Sequence, residues 1–236
     1  MRFISIVIAL LLWPSILNAQ NSPSARDFLK RGNLLYTKGD LEGAISSFNK
    51  ALAANPEMTD ALVARGKALK LKGDFDGAIE DFEQAAVLDL RILSSIPEAA
   101  ATYTMRGNLR VNSFDLDGAV ADFDKAVRCE PASADPVIKR GEAKLIRGDL
   151  NDAISDFDAG LSLRPGKLQS SLALAGRGYA NLLVGNDRKA EKDFEQSVIL
   201  NNEGKFFLTL HLKLIESKIR EVKRRRAAEQ QLIASN

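Results

Sequence analysis

A chain with one histidine and one cysteine has little to offer chemistry that needs a proton shuttle or a nucleophile. His211 and Cys129 are those two residues. His211 has no Cys or acidic residue at metal-ligand spacing around it, so a packed or surface imidazole accounts for it. The chain contains no His-Glu-x-x-His pair, phosphate-cradling Gly loop or nucleophile elbow. We therefore expect no catalytic residue, no metal site and no cofactor. Its charged residues recur in fixed pairs instead. Arg-Gly stands at 31–32, 65–66, 106–107, 140–141 and 177–178; Asp-Phe stands at 81–82, 122–123, 156–157 and 193–194, with Ser47-Phe48 in the first copy. These pairs are expected to form an Arg–Asp ladder between neighbouring helices, the Arg stems covering apolar surface.

The spacing behind the pairs is a repeat. Gly32, Ala44 and Phe48 return as Gly66, Ala78, Phe82; as Gly107, Ala119, Phe123; as Gly141, Ala153, Phe157; and as Gly178, Ala190, Phe194. The glycine-to-glycine steps of 34, 41, 34 and 37 residues describe a 34-residue unit with two insertions, around 91–99 and near 166–170. A helical period of this length with small-small-aromatic punctuation resembles the tetratricopeptide-repeat family over about residues 25–204. The family's Gly, Ala, aromatic and Pro are matched by Gly32, Ala44, Phe48 and Pro56, and again in the third and fourth copies as far as Pro131 and Pro165. The resemblance implies an all-α, right-handed solenoid of five helix-turn-helix units: 25–58, 59–92, 100–133, 134–167 and 171–204.

In each unit helix A should meet helix B at the Gly and the Ala. The Phe should fill the space against the next repeat. In the first copy helix A runs about Ala25–Lys38 and helix B about Leu41–Ala54, divided by Gly39-Asp40. The dividing pair recurs as Gly73-Asp74 and Gly148-Asp149, and loosely as Gly185-Asn186. The third copy has Phe114-Asp115, and because a Phe resists positive φ its turn is expected to be irregular or displaced. Cys129 occupies the position of Ala54, Leu88, Leu163 and Leu200, which predicts a buried structural thiol. The first insertion is expected to lengthen helix B of the second copy, with a turn at Pro97; the second should loosen the step into the fifth. Residues 205–226 read as one more helix, with Phe206, Phe207, Leu210 and Leu214 on its buried stripe, capping the last apolar face. Residues 227–236 form a fraying tail. Lys223 to Arg226 are a solvated helix end or a basic contact.

Residues 1–19 carry Arg2, an apolar run from Ile4 to Trp13, Pro14 and a small residue at Ala19. They read as a cleaved signal peptide, followed by a polar lead-in at 20–24. The run is too short to span a bilayer, so no integral span is expected in the mature chain. No Cys follows it for lipid attachment, which places the protein in the periplasm or outside the cell. The formal net charge of +2 provides no general field for nucleic acid, so no nucleic-acid partner is expected.

In the solenoid that the resemblance implies, helix A lines the concave face. One stripe there carries Asn33, Tyr36, Lys67, Lys70, Asn108, Glu142 and Tyr179 above an apolar floor, which suits an extended or helical peptide. The carboxylate clamp of chaperone-binding members is not supported, since Leu29 and Ala64 stand where its Lys and Asn belong. Similar proteins in bacterial envelopes act as assembly adaptors. The expected function is thus an exported, non-enzymatic scaffold that binds a protein or peptide. The alternative is a structural protein that self-associates by stacking its solenoid ends into an oligomer.

Overall fold

The computed structural model describes residues 23–89, 96–201 and 205–234. The chain is an all-α solenoid and divides into two compact units, residues 1–90 and 91–236. Residues 1–19, expected to be a signal peptide, lie outside the described residues. No helix among those described is long and apolar enough to cross a membrane.

The first unit contains α1 (Ala25–Thr37), α2 (Leu41–Ala54), α3 (Thr59–Lys72) and α4 (Phe75–Leu88). Ser24 and Asp27 form a reciprocal capping box that starts α1. Asp40 and Asp74 accept hydrogen bonds from the N–H groups of Gly43 and Gly77, at 2.9 and 3.0 Å, and so start α2 and α4. Gly73, at φ +84°, ends α3 in the left-handed region. Phe48 and Ala44 of the first repeat form a buried cluster with Ala68 of the second, with Leu29, Leu35 and Tyr36 half-buried against it.

The second unit contains α5 (Pro97–Ser113), α6 (Leu116–Cys129), α7 (Ala134–Arg147), α8 (Leu150–Ser162), α9 (Lys167–Leu183), α10 (Asp187–Leu200) and α11 (Lys205–Ala234). The first insertion does not do what the sequence suggested. Helix α4 stops at Leu88 and Asp89 is already extended, so helix B of the second copy is not lengthened. Pro97 does not turn the chain; it occupies the first turn of α5, where a missing N–H costs nothing. Most of the second insertion, from Lys167 on, is helical. Both α5 and α9 run 17 residues and extend at their N-termini. Residues 90–95 of the first insertion lie outside the described residues.

The Phe114 turn also departs from expectation, because it is regular. Phe114 takes φ +66°, the left-handed position that Gly73 and Gly148 occupy, and the Asp115 N–H bonds the Arg110 carbonyl at 2.9 Å. Packing offsets the unfavourable backbone: the ring lies against the core, and the Arg225 guanidinium stacks 4.3 Å from its centroid.

Cys129 is half-buried, not fully enclosed. It ends α6, and its counterparts Leu88, Leu163 and Leu200 are each more than a third exposed. The last residue of helix B thus faces outward, and the apolar character of this position was misleading. Partial burial still raises the thiol above its ordinary 9.0, which disfavours the reactive thiolate.

The small residues meet a different partner from the one expected. A Cβ on Gly32, Gly66, Gly107, Gly141 or Gly178 would strike first the Phe ring of its own repeat, at 2.3 to 3.1 Å. The Phe therefore seals the A–B contact within its repeat, and it also packs against the next repeat as expected: Phe48 clusters with Ala68, Phe123 with Ala143 and Phe157 with Ala173. A Cβ on Gly176 would lie 2.6 Å from the Phe157 ring.

The ladder is present in four repeats. Arg65, Arg106, Arg140 and Arg177 each grip Asp81, Asp122, Asp156 and Asp193 respectively with Nε at 2.9 Å and a second nitrogen at 2.5–2.6 Å. The remaining guanidinium nitrogen reaches the preceding repeat at Asn49, Asp124 and Asp158 from Arg65, Arg140 and Arg177. Each of these three arginines ties two helices of its own repeat to helix B before it. The first repeat has Ser47 instead, whose hydroxyl donates to the Gly43 carbonyl, and Arg31 is exposed.

Candidate protein-binding surface

The seven stripe residues fall into the two units, and their surroundings differ. In the first unit Asn33 is exposed on α1, Tyr36 is half-buried against the Phe48 cluster, and Lys67 and Lys70 are half-buried on α3. Leu29 and Ala64, at the clamp positions, pack into that same apolar cluster. In the second unit Asn108 lines an open cleft of about 330 Å³ with Thr104, Met105, Ser133, Asp135 and Pro136.

Glu142 and Tyr179 are not on an open face. Helix α11 caps the array from the side, packing on α7 and α9, the A helices of the last two repeats. Ile215, Ile219 and Val222 are buried in one cluster with Ile138, Leu145 and Ile146 of α7 and with Ala173 and Ala180 of α9. Their spacing of four and three residues puts them on one side of the helix. The physical reason for this course is the surface on offer. The outer side of α10 exposes Arg188, Lys189, Glu191, Lys192 and Glu195, which have little to give an apolar stripe. The A-helix face of α7 and α9 provides aliphatic side chains.

The stripe of α11 is therefore not the one expected. Leu210 and Leu214 are each 54% exposed, whereas Leu208, Ile215, Ile219 and Val222 are buried. The side chains of Phe206 and Phe207 lie outside the described part of the structure. The helix also continues through the expected tail to Ala234.

Polar contacts accompany the apolar seam. His211 Nε2 lies 3.2 Å from Glu142 Oε1, and Lys139 Nζ lies 3.0 Å from Glu142 Oε2. Lys218 donates to Asn112 Oδ1 at 2.6 Å. Tyr179 packs against the seam, and burial pushes its hydroxyl above the ordinary 10.0. Sequence reasoning missed His211 and Lys218 as contact residues; the signal that could have found them is their position beside the i, i+4, i+7 aliphatic series.

Burial opposes ionisation of Glu142, but the nearby His211 imidazole and the charge of Lys139 outweigh it, so its carboxyl titrates below the ordinary 4.5. A carboxylate with a lowered folded pKa stabilises the fold above its unfolded value. That contribution is lost as the pH falls through the folded value. Glu142→Gln should accordingly flatten the dependence of unfolding free energy on pH between about 5 and 3, measured by urea titration at each pH. An unchanged slope would show that Glu142 is not ionised in the fold.

Among the described residues no group of three His, Cys, Asp or Glu could hold a metal ion.

Comparison with known proteins places this geometry in a fold. Residues 29–95 match the tetratricopeptide-repeat family profile. Among solved structures the chain resembles YrrB, described as a tetratricopeptide-repeat protein with an unusual peptide-binding site. The TM-score is 0.60 and the identity 22%, over 84% of this chain and 96% of that one. A crystal structure of MamA matches with TM-score 0.55 and 26% identity over 73% and 95% of the two chains. Another of the MamA protein matches with TM-score 0.57 and 24% identity over 76% and 93%. No curated protein matches the chain. These likenesses show the tetratricopeptide-repeat fold.

Proposed function

We propose that this tetratricopeptide-repeat array is an exported adaptor that binds a helical or extended segment of a partner protein on its A-helix faces. The observation that carries the reading is α11, an amphipathic helix already seated on α7 and α9. A face that takes one helix through aliphatic anchors and a few polar contacts has the properties of a helix-binding groove. The peptide-binding site named for YrrB supports the same use of the fold. In the first unit Asn33, Tyr36, Lys67 and Lys70 are the binding set; in the second Asn108 is. The apolar segment before Gln20 directs the adaptor out of the cytoplasm, where assembly of an envelope complex is the fitting role.

A pull-down from an envelope extract tests this, with residues 20–236 as bait beside the same bait carrying Asn33→Ala, Lys67→Ala and Lys70→Ala. A partner held by the first bait and lost from the second is the expected result. Retention by both would remove the first unit's face from the reading. N-terminal sequencing of the protein from a cell fraction should begin at Gln20; an intact Met1 would overturn the export.

A second reading, self-association through the solenoid ends, is favoured by Ile199, which is 77% exposed at the end of α10 beside Leu200. Mass that rises with concentration in light scattering, and stays constant in Ile199→Lys, would support it.

A further inference from the structure

Helix α11 is held in an uneven way. Its grip is four aliphatic side chains, Leu208, Ile215, Ile219 and Val222, together with separate polar contacts at Glu142, Asn112 and Phe114. Its other side is open to solvent, where Lys213, Leu214, Arg220, Lys223 and Arg224 are exposed. Charge adds to the match at one point. Residues 205–234 carry eight Lys and Arg against three Glu. Beneath them Glu142 is buried, while Asp115 and Asp117, which line a cleft with Arg225 and Arg226, are themselves paired with Arg110 and Arg147. Removing α11 would bare Ile138, Ile146 and Tyr179 together with a buried carboxylate. Such a face needs an occupant at all times.

We propose that the A-helix face of α7 and α9 is the docking site for a cationic amphipathic helix of a partner protein, with α11 as the resident occupant that the partner displaces. The inference rests on the adaptor reading and names the partner's chemistry. The partner helix presents aliphatic side chains at i, i+4 and i+7, and an imidazole or ammonium group four residues before the first of them, over Glu142. Tethering favours α11 through its high effective concentration, so the partner binds by exchange with an apparent affinity below its intrinsic one.

The probe is a fluorescent peptide of residues 205–234, titrated into the full mature chain, residues 20–236. Wild-type chain should bind it weakly. Ile215→Asp with Ile219→Asp in the chain unseats the resident helix, and the wild-type peptide should then bind at least about tenfold more tightly. A peptide carrying Lys218→Glu, Arg225→Glu and Arg226→Glu should lose that gain. Equal binding by both chains would overturn the proposal. Should the double variant fail to fold, hydrogen exchange on the wild-type chain decides. Amides of α11 exchanging at least about tenfold faster than those of α7 support displacement; equal protection makes α11 a fixed part of the core and overturns it. A wild-type dimer in light scattering that the double variant loses would assign the face to α11 of a second copy, which also overturns the partner assignment. None of these outcomes touches Asn33, Lys67 or Lys70, so the first unit's face is tested separately by the pull-down.

Discussion

Asp122→Ala is expected to lower the unfolding free energy by about 3 kcal/mol, read from urea denaturation followed by far-UV circular dichroism. Asp122 is 1% exposed and accepts from three directions. Arg106 holds it with Nε at 2.9 Å and a second nitrogen at 2.6 Å, and Arg110 adds a contact at 2.9 Å. Truncation leaves two partly buried guanidiniums, 15% and 30% exposed, facing a hole. Losing one partner of a buried pair costs more than the pair itself contributes, because the remaining charge is only partly rehydrated. Asp122→Asn keeps the volume and removes the charge, so it should fall between wild type and Asp122→Ala. The loss should persist in about 1 M salt, since a buried pair is poorly screened. The exposed Lys72–Glu42 pair is the contrast: Glu42→Ala should leave the denaturation midpoint where it was. A midpoint for Asp122→Ala equal to wild type would mean that the ladder is ornamental.

That ladder was legible in the sequence because both partners recur at a fixed offset of sixteen residues, which one helical hairpin brings into register. The caps were legible for the same reason, since Asp40, Asp74 and Asp115 each act on a partner three residues along the chain. The course of α11 was not. Its sequence has one apolar edge through Leu210 and Leu214 and another through Ile215, Ile219 and Val222, and periodicity alone does not choose between them. The choice is made by the faces available, a charged α10 against an aliphatic α7 and α9, and that is a tertiary fact. Two of the stripe residues followed from this. Glu142 and Tyr179 occupy the anticipated repeat position, yet the helix that covers them comes from a distant part of the chain. Phe114 failed in the opposite sense: local preference argued against a left-handed turn, and a stacked arginine from the far end of the chain, Arg225, supports it.

Gly107→Leu is expected to destabilise the protein by about 3 kcal/mol or more through overpacking. The argument begins with a single added carbon. A Cβ on Gly107 would lie 2.7, 2.9 and 3.1 Å from three atoms of the Phe123 ring. That ring is completely buried, so it has no free space to swing into. Gly107→Ala alone should therefore cost about 1–2 kcal/mol, even though alanine favours helix over glycine by about 1 kcal/mol. Gly141 provides the internal control, because its Cβ would stand no closer than 3.1 Å to Phe157 and 3.2 Å to the Asp156 Cβ, so its equally buried neighbours need to move less. There the helix preference competes on nearly equal terms, and Gly141→Ala should cost measurably less than Gly107→Ala. Thermal melts of the three variants order the effect: Gly107→Leu lowest, then Gly107→Ala, then Gly141→Ala closest to wild type. If Gly107→Ala melts with wild type, the glycine is present for some reason other than the ring. If the two alanine variants melt together well below wild type, distance to the ring does not govern the cost, and closeness of the helix backbones is the better account.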